Sequence, residues 1–156
     1  MARIALLDVN VLVALFDPDH VHHELAHDWF ADHRAAGWAT CPFTENGFVR
    51  VLSNPHYRTD ASRPSVLIGH LRRFCASGHH HFWPATVSLR DDELFVVDSA
   101  RGHRQLTDLY LLGLARKMGG ALATFDRTIP LSAVKGLKSD HLAVIAPEDW
   151  VLGPRS

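Results

Sequence analysis

Residues 106–126 read LTDLYLLGLARKMGGALATFD, and the order of events in that stretch sets the fold class. Thr107 is placed to cap a helix whose apolar positions Leu109, Tyr110, Leu112, Leu114 and Ala115 form its buried side, and Gly119-Gly120 ends it. Residues 121–125 then form a short apolar run suited to a strand buried on both faces, and Asp126 halts it. A helix that feeds directly into a fully buried strand is the second half of a crossover unit in a parallel sheet. The same pattern opens the chain, where IALL at residues 4–7 stops at Asp8.

Working outward, residues 10–16 suit a short buried helix closed by Asp17-Pro18-Asp19. Residues 20–36 carry helical spacing at Val21, Leu25, Ala26, Trp29 and Phe30 up to Gly37. A strand at 38–41 stops before Pro42, after which Thr44 is expected to cap a helix through Phe48, Val49 and Leu52, broken at Asn54-Pro55. Pro64 opens another helix with Val66, Leu67, Leu71 and Phe74 on its apolar side and Gly78 as its stop. Residues 79–83 and 142–145 are further strand candidates, whereas 86–98 has no clear periodicity. Strands alternating with helices predict an α/β fold with a parallel sheet between helical layers. No repeat, linker or low-complexity segment divides residues 1–156, so one domain is expected. Ligands of such sheets bind beyond the carboxyl ends of the strands, where the strand order reverses.

Composition narrows the function classes. At 156 residues with 47% hydrophobic side chains, the chain can build a full core without staples, so Cys41 and Cys75 need not pair and fit no zinc ribbon. The opening MARIALLDVN has no leader pattern, and no apolar stretch approaches the roughly 20 residues of a membrane span. A cytoplasmic protein without a membrane role is the expectation. Sixteen Lys and Arg offset 17 Asp and Glu to leave a net charge of -1. A nucleic-acid partner would therefore have to be held by a local arginine surface or through metal ions.

Asp8 and Asp126 each follow a buried strand, and Glu45 and Asp108 each fall in the first turn of a helix leaving the same sheet edge. Each has an ordinary reading as a turn former or helix-dipole partner. Together they form a candidate carboxylate cluster, which would repel itself unless a cation offset the charge. Hard oxygen donors favour magnesium or manganese, and such a metal can activate water for phosphodiester hydrolysis. Asn10 is a candidate to orient Asp8 or a metal-bound water, or else to cap a helix; Thr124 either bonds Asp126 or simply suits a strand. Arg50, Arg58, Arg63, Arg101, Arg104 and Arg127 lie near predicted loops or helix ends and are candidates for phosphate contacts.

Competing readings exist. His23-Glu24-Leu25-Ala26-His27 matches the H-E-x-x-H zinc metallopeptidase motif, with His33 where an extended pattern wants a third ligand. Phe30 stands where that pattern needs the glycine that turns the chain, so a continuous helix would aim His33 away from His23. His79-His80-His81 is a second histidine run with either a metal-binding or a plain loop reading. A metal-free histidine ribonuclease, a phosphatase using Asp8 as nucleophile and a non-catalytic domain docking a basic peptide complete the alternatives.

LLDVNVLVALF, CPFTENGFVRVLSNP, LTDLYLLGLARKMGGALATFD and the closing VIAPEDW resemble the PIN-domain ribonucleases of VapC-type toxin-antitoxin systems. The resemblance spans nearly the whole chain. It implies a three-layer α/β/α sandwich with a five-stranded parallel sheet, and magnesium- or manganese-dependent endonucleolytic cleavage of RNA. It puts the metal-ligand positions on Asp8 and Asp108, completes the acidic pocket with Glu45 and Asp126, and gives Thr124 the small hydroxyl position before the last acid. It further implies a homodimer and a small cognate antitoxin as partner.

Overall fold

In the computed structural model, which describes residues 2–96, 98 and 102–147, five short strands alternate with helices. The strands are β1 (Ala5–Leu7), β2 (Trp38–Thr40), β3 (His80–Phe82), β4 (Ala121–Thr124) and β5 (Leu142–Val144). The helices are α1 (Val9–Phe16), α2 (His23–His33), α3 (Pro42–Leu52), α4 (Pro64–Cys75) and α5 (Leu106–Lys117). The sheet order is β3-β2-β1-β4-β5 with every neighbouring pair parallel, as the alternation of the sequence predicts. After β1 the chain builds β2 and β3 on one side, then crosses back to place β4 and β5 on the other. The order therefore reverses between β1 and β4, and a ligand crevice is expected beyond their carboxyl ends.

Side-chain alternation along β1 distributes the core. Leu6 joins Leu122, Phe95 and the α5 residues Leu109, Leu111 and Leu112 on one face. Ala5 and Leu7 join α1, Trp38, Phe48 and Leu67 on the other. α1 buries Val11 through Leu15 without a break, which suits a short helix wedged between the sheet and its neighbours rather than lying on the surface. Helix α5 is also buried nearly all round, and its Gly113 is dictated by packing. A Cβ there would stand 2.2 Å from the Phe95 ring, whose segment bridges to Val134.

Several local expectations are corrected. Thr44 and Thr107 do not cap their helices. Pro42 occupies the first turn of α3, where its missing N–H costs nothing, and Cys41 is the cap residue. Thr44 sits a turn position later, its Oγ1 accepting the Cys41 N–H at 3.0 Å and donating to the Cys41 carbonyl at 3.1 Å. Helix α5 starts one residue before Thr107, continuing a 3-10 turn over His103–Gln105. The helix expected over 20–36 is shorter, with a 3-10 turn at Arg34–Ala36, and Val21 precedes it at 86% exposure instead of facing the core. Val66 likewise points outward from α4.

Candidate active site

Asp8 leaves β1 and enters α1 in one step, and its conformation follows from that position. Its backbone is extended, its N–H donates to the Ala123 carbonyl of β4 at 3.0 Å, and its carboxylate caps α1. Oδ1 accepts the Val9 N–H at 2.7 Å, and Oδ2 accepts the Thr124 hydroxyl at 2.7 Å. Asp8, not Asn10, is therefore the cap; Asn10 lies exposed in the first turn of α1. Thr124 serves both of its neighbours, donating to Asp8 and accepting the Asp126 N–H at 3.1 Å. Asp126 is fixed from its far side by Thr128, whose backbone N–H and hydroxyl both donate to Asp126 Oδ1, at 2.8 and 2.7 Å.

Asp108 comes from the first turn of α5 to the same edge. Burial, then the charges of Asp8 and Asp126, then hydrogen bonding to Asp126 push its carboxyl up to about 7. Burial also raises Asp8, aided by the charge of Asp126 and opposed by its bonds to Thr124 and Val9. These three acids, distant in sequence, thus share one electrostatic environment at the switch point between β1 and β4. Such a set of partly buried hard oxygen donors is suited to a divalent cation, which would remove the repulsion that raises Asp108.

Glu45 lies to the side of that group. It sits in the first turn of α3, where its Oε2 accepts the hydroxyl of Thr40, the last residue of β2, at 2.7 Å. Cys75 and His80 stand beside it, so that one ligand atom from each of the three residues lies within 4.8 Å of the others. Burial, then the Glu45 charge, pushes the Cys75 thiol up to about 11. Burial lowers His80 against the opposing pull of Glu45. Sequence reasoning missed Thr40 and Cys75 here and noticed His80 only as part of a run; the one available signal was that run next to a strand.

The arginine candidates separate. Arg50 is exposed and shares with Glu45 a cleft of about 310 Å3 that Asn46, Val49, Ile68 and Leu71 also line. Arg58 bridges carboxylates instead, at 3.1 Å to Asp17, 2.9 Å to Asp60 and 3.7 Å to Asp19. Arg63 precedes α4 and is exposed, and Arg127 follows Asp126 and is exposed. Arg101 and the Arg104 side chain lie outside the described residues, as do the last residues of the VIAPEDW motif.

The H-E-x-x-H histidines have another occupation. His23 Nδ1 lies 2.7 Å from the Ala14 carbonyl, and His27 Nε2 lies 2.7 Å from the Leu15 carbonyl. A carbonyl only accepts, so both ring nitrogens are N–H donors satisfying two of the orphan carbonyls at the end of α1. His33 bonds the Trp29 carbonyl and stacks on the Trp29 ring, away from the pair. The peptidase reading thus loses its third ligand, and the two remaining histidines perform a capping task. Among the described residues no helix is long and apolar enough to cross a membrane.

Residues 5–136 match the family model for the PIN domain. The chain is 47% identical over 143 residues to Ribonuclease VapC44 of Mycobacterium tuberculosis, covering 90% of this chain and 99% of that protein. It is 43% identical over 133 residues to Ribonuclease VapC39 of the same organism, covering 85% and 96%. With Ribonuclease VapC38 of that species the identity is 46% over 127 residues, covering 79% and 85%.

Proposed function

The chain belongs to the PIN-domain family, and on that footing we propose that it is a VapC-type endoribonuclease toxin hydrolysing RNA phosphodiester bonds with magnesium or manganese. The observation that carries this reading is the junction of Asp8, Asp108 and Asp126 at the strand-order reversal, with Asp108 raised to about 7 by burial and by its two neighbours. A bound divalent cation supplies a water of lowered pKa and charge stabilisation for the departing oxygen. Asp8 and Asp108 are the residues that would hold it, with Asp126 beside them, and Glu45, to the side on α3, would turn toward them to complete the acidic pocket. Thr124 fixes the rotamer of Asp8, and Thr128 fixes that of Asp126, so both carboxylates are oriented before any ligand arrives. Asn10, exposed on the first turn of α1, would orient Asp8 or a metal-bound water in this scheme. Arg50, Arg63 and Arg127 supply phosphate contacts in this scheme.

The relatives, named as VapC ribonucleases, support an RNA substrate and, with it, a small cognate antitoxin as partner; action in the cytoplasm as a homodimer belongs to the same proposal. Purified protein freed of other chains is expected to cleave RNA to 5′-phosphate ends when magnesium or manganese is supplied and to stop on addition of EDTA. Asp8→Asn and Asp108→Asn are each expected to abolish cleavage while circular dichroism stays unchanged. Undiminished turnover in both folded variants would overturn the assignment of the site.

A further inference from the structure

Glu45, Cys75 and His80 reach one point from three elements: the first turn of α3, the last residue of α4 and the first residue of β3. Register brings them together, because β2 and β3 pair in parallel with Thr40 opposite Phe82, which leaves His80 two residues back on the same face as Thr40. Thr40 Oγ1 is their hub, donating to Glu45 Oε2 at 2.7 Å and lying 2.7 Å from His80 Nε2. The hydroxyl has one proton and gives it to Glu45, so His80 Nε2 is the donor to Oγ1 and its Nδ1 carries the free lone pair.

We propose that Glu45, Cys75 and His80 form a second cation site, distinct from the three aspartates and selective for a thiophilic, four-coordinate divalent metal of the zinc class. The donor set decides the preference. One carboxylate oxygen, one sulfur and one imidazole nitrogen suit zinc, whereas magnesium demands near-octahedral oxygen. Zinc bonds of about 2.0–2.3 Å place tetrahedral ligand atoms roughly 3.3–3.8 Å apart. Atoms already within 4.8 Å of one another are at most about 1.5 Å from that spacing. All three residues are partly buried, so an ion has access, and water fills the fourth position. Binding releases one proton, from the Cys75 thiol; where His80 coordinates through Nε2, its ring proton moves to Nδ1 and the bond to Thr40 is given up, so its charge does not change. Occupancy also commits the Glu45 carboxylate to zinc. Where Glu45 belongs to the ribonuclease pocket, a consequence that rests on the proposed activity, zinc then inhibits cleavage without competing for the aspartates.

Cobalt(II), added alone to the full metal-free chain, is the probe. One equivalent is expected to give a thiolate-to-cobalt band in the near ultraviolet and intense visible bands of tetrahedral geometry, erased by zinc and unaffected by excess magnesium. Cys75→Ser is expected to remove the near-ultraviolet band although Cys41 remains, and His80→Gln to weaken cobalt binding by about tenfold or more while keeping the band. A wild-type protein without the band, a band unchanged in Cys75→Ser, or displacement of cobalt by magnesium overturns the site. Urea midpoints of the metal-free variants check that they fold, and His80→Gln decides the matter if Cys75→Ser does not. In the cleavage assay with magnesium, half-inhibition of Cys75→Ser should need about tenfold more zinc than wild type. Equal sensitivity overturns the link to Glu45. A chain that cleaves no RNA at all sinks the ribonuclease reading and leaves the cobalt spectra to judge the site.

Discussion

Replacing Asp108 by asparagine should remove activity and yet make the metal-free protein more stable, and the gain should depend on pH in a defined direction. Folding raises this carboxyl from 3.8 to about 7, so between those values the folded chain holds a proton that the unfolded chain has lost. Stability then falls as pH rises through that window. Below about pH 4 both states are protonated and Asp108 costs nothing; above about pH 7 both are ionised and the full penalty applies. At about 1.4 kcal/mol per pKa unit the ceiling is about 4 kcal/mol, and because Asp108 is only partly buried, solvent screening reduces the expected value to about 2 kcal/mol. Urea unfolding in EDTA should show wild type and Asp108→Asn of similar stability near about pH 4, with the variant ahead by about 2 kcal/mol near about pH 8. Magnesium should invert the order, since only wild type gains from binding a cation that its unfolded chain does not hold. A variant less stable than wild type at high pH, or a difference that ignores pH, would show that Asp108 is a structural residue and that the three acids do not share a charged pocket.

The carboxylate of Asp17 behaves in the opposite sense. Burial pushes it up, but the Tyr57 hydroxyl, the Asp19 N–H and Arg58 outweigh that and hold it below the usual range. A depressed carboxyl stabilises the fold above about pH 4, and the contribution disappears as pH falls through the lowered value. Asp17→Asn should therefore destabilise by about 1 to 3 kcal/mol near neutrality and by much less in acid, measured by denaturant melts across that range. Gly113→Ala raises helix propensity yet drives a methyl into Phe95, so a loss of about 1 to 3 kcal/mol is expected, with Phe95→Leu as a second-site suppressor in thermal melts. His23→Ala should cost about 1 kcal/mol of stability through the freed Ala14 carbonyl while leaving metal-dependent RNA cleavage intact; zinc-dependent peptide hydrolysis by wild type that this variant lost would revive the peptidase motif.

What could be read from the chain before its structure was the part encoded by neighbours along it. The strand-then-acid pattern at Asp8 and Asp126 and the first-turn acid at Asp108 are local, and the parallel sheet that follows from buried runs brings them to one edge. The helix starts differ from the expectation because Pro42 and a preceding 3-10 turn set them, and Thr44 and Thr107 fall inside the first turns. Residues 86–96 show no periodicity because that segment is held by scattered long-range contacts, among them the Phe95 ring against Gly113, the Tyr110 hydroxyl on the Val87 carbonyl, and backbone bonds that join Leu94 to Lys135 and Val96 to Ala133. The surroundings of Glu45 were illegible for the same reason. Only the pairing of β2 with β3 brings His80 to Thr40, and only the length of α4 delivers Cys75. The histidine motif shows the converse hazard, in which the spacing was real and its meaning lay in the carbonyls of α1.

Asp8 and Asp108 carry the same charge in the same pocket, yet their neutral variants should diverge, because only one of them is built into the backbone. Asp8 offers both oxygens to fixed donors, Oδ1 to the first N–H of α1 and Oδ2 to Thr124, whose oxygen already accepts from Asp126. An asparagine keeps one acceptor and turns an amide N–H toward the Thr124 oxygen, which can accept it on its second lone pair, but the Thr124 hydroxyl proton loses its acceptor. Losing that buried bond costs about 1 kcal/mol, close to what relief of repulsion returns, and Asp8→Asn should come out within about 1 kcal/mol of wild type without metal. Thr124→Val, which removes the hydroxyl and leaves the charge, should destabilise by about 1 to 2 kcal/mol, and in that background Asp8→Asn should become clearly stabilising. Additive effects of the two substitutions would mean that Thr124 does not hold Asp8. The orientation of the first acid would then have to come from the capping bond to Val9 alone.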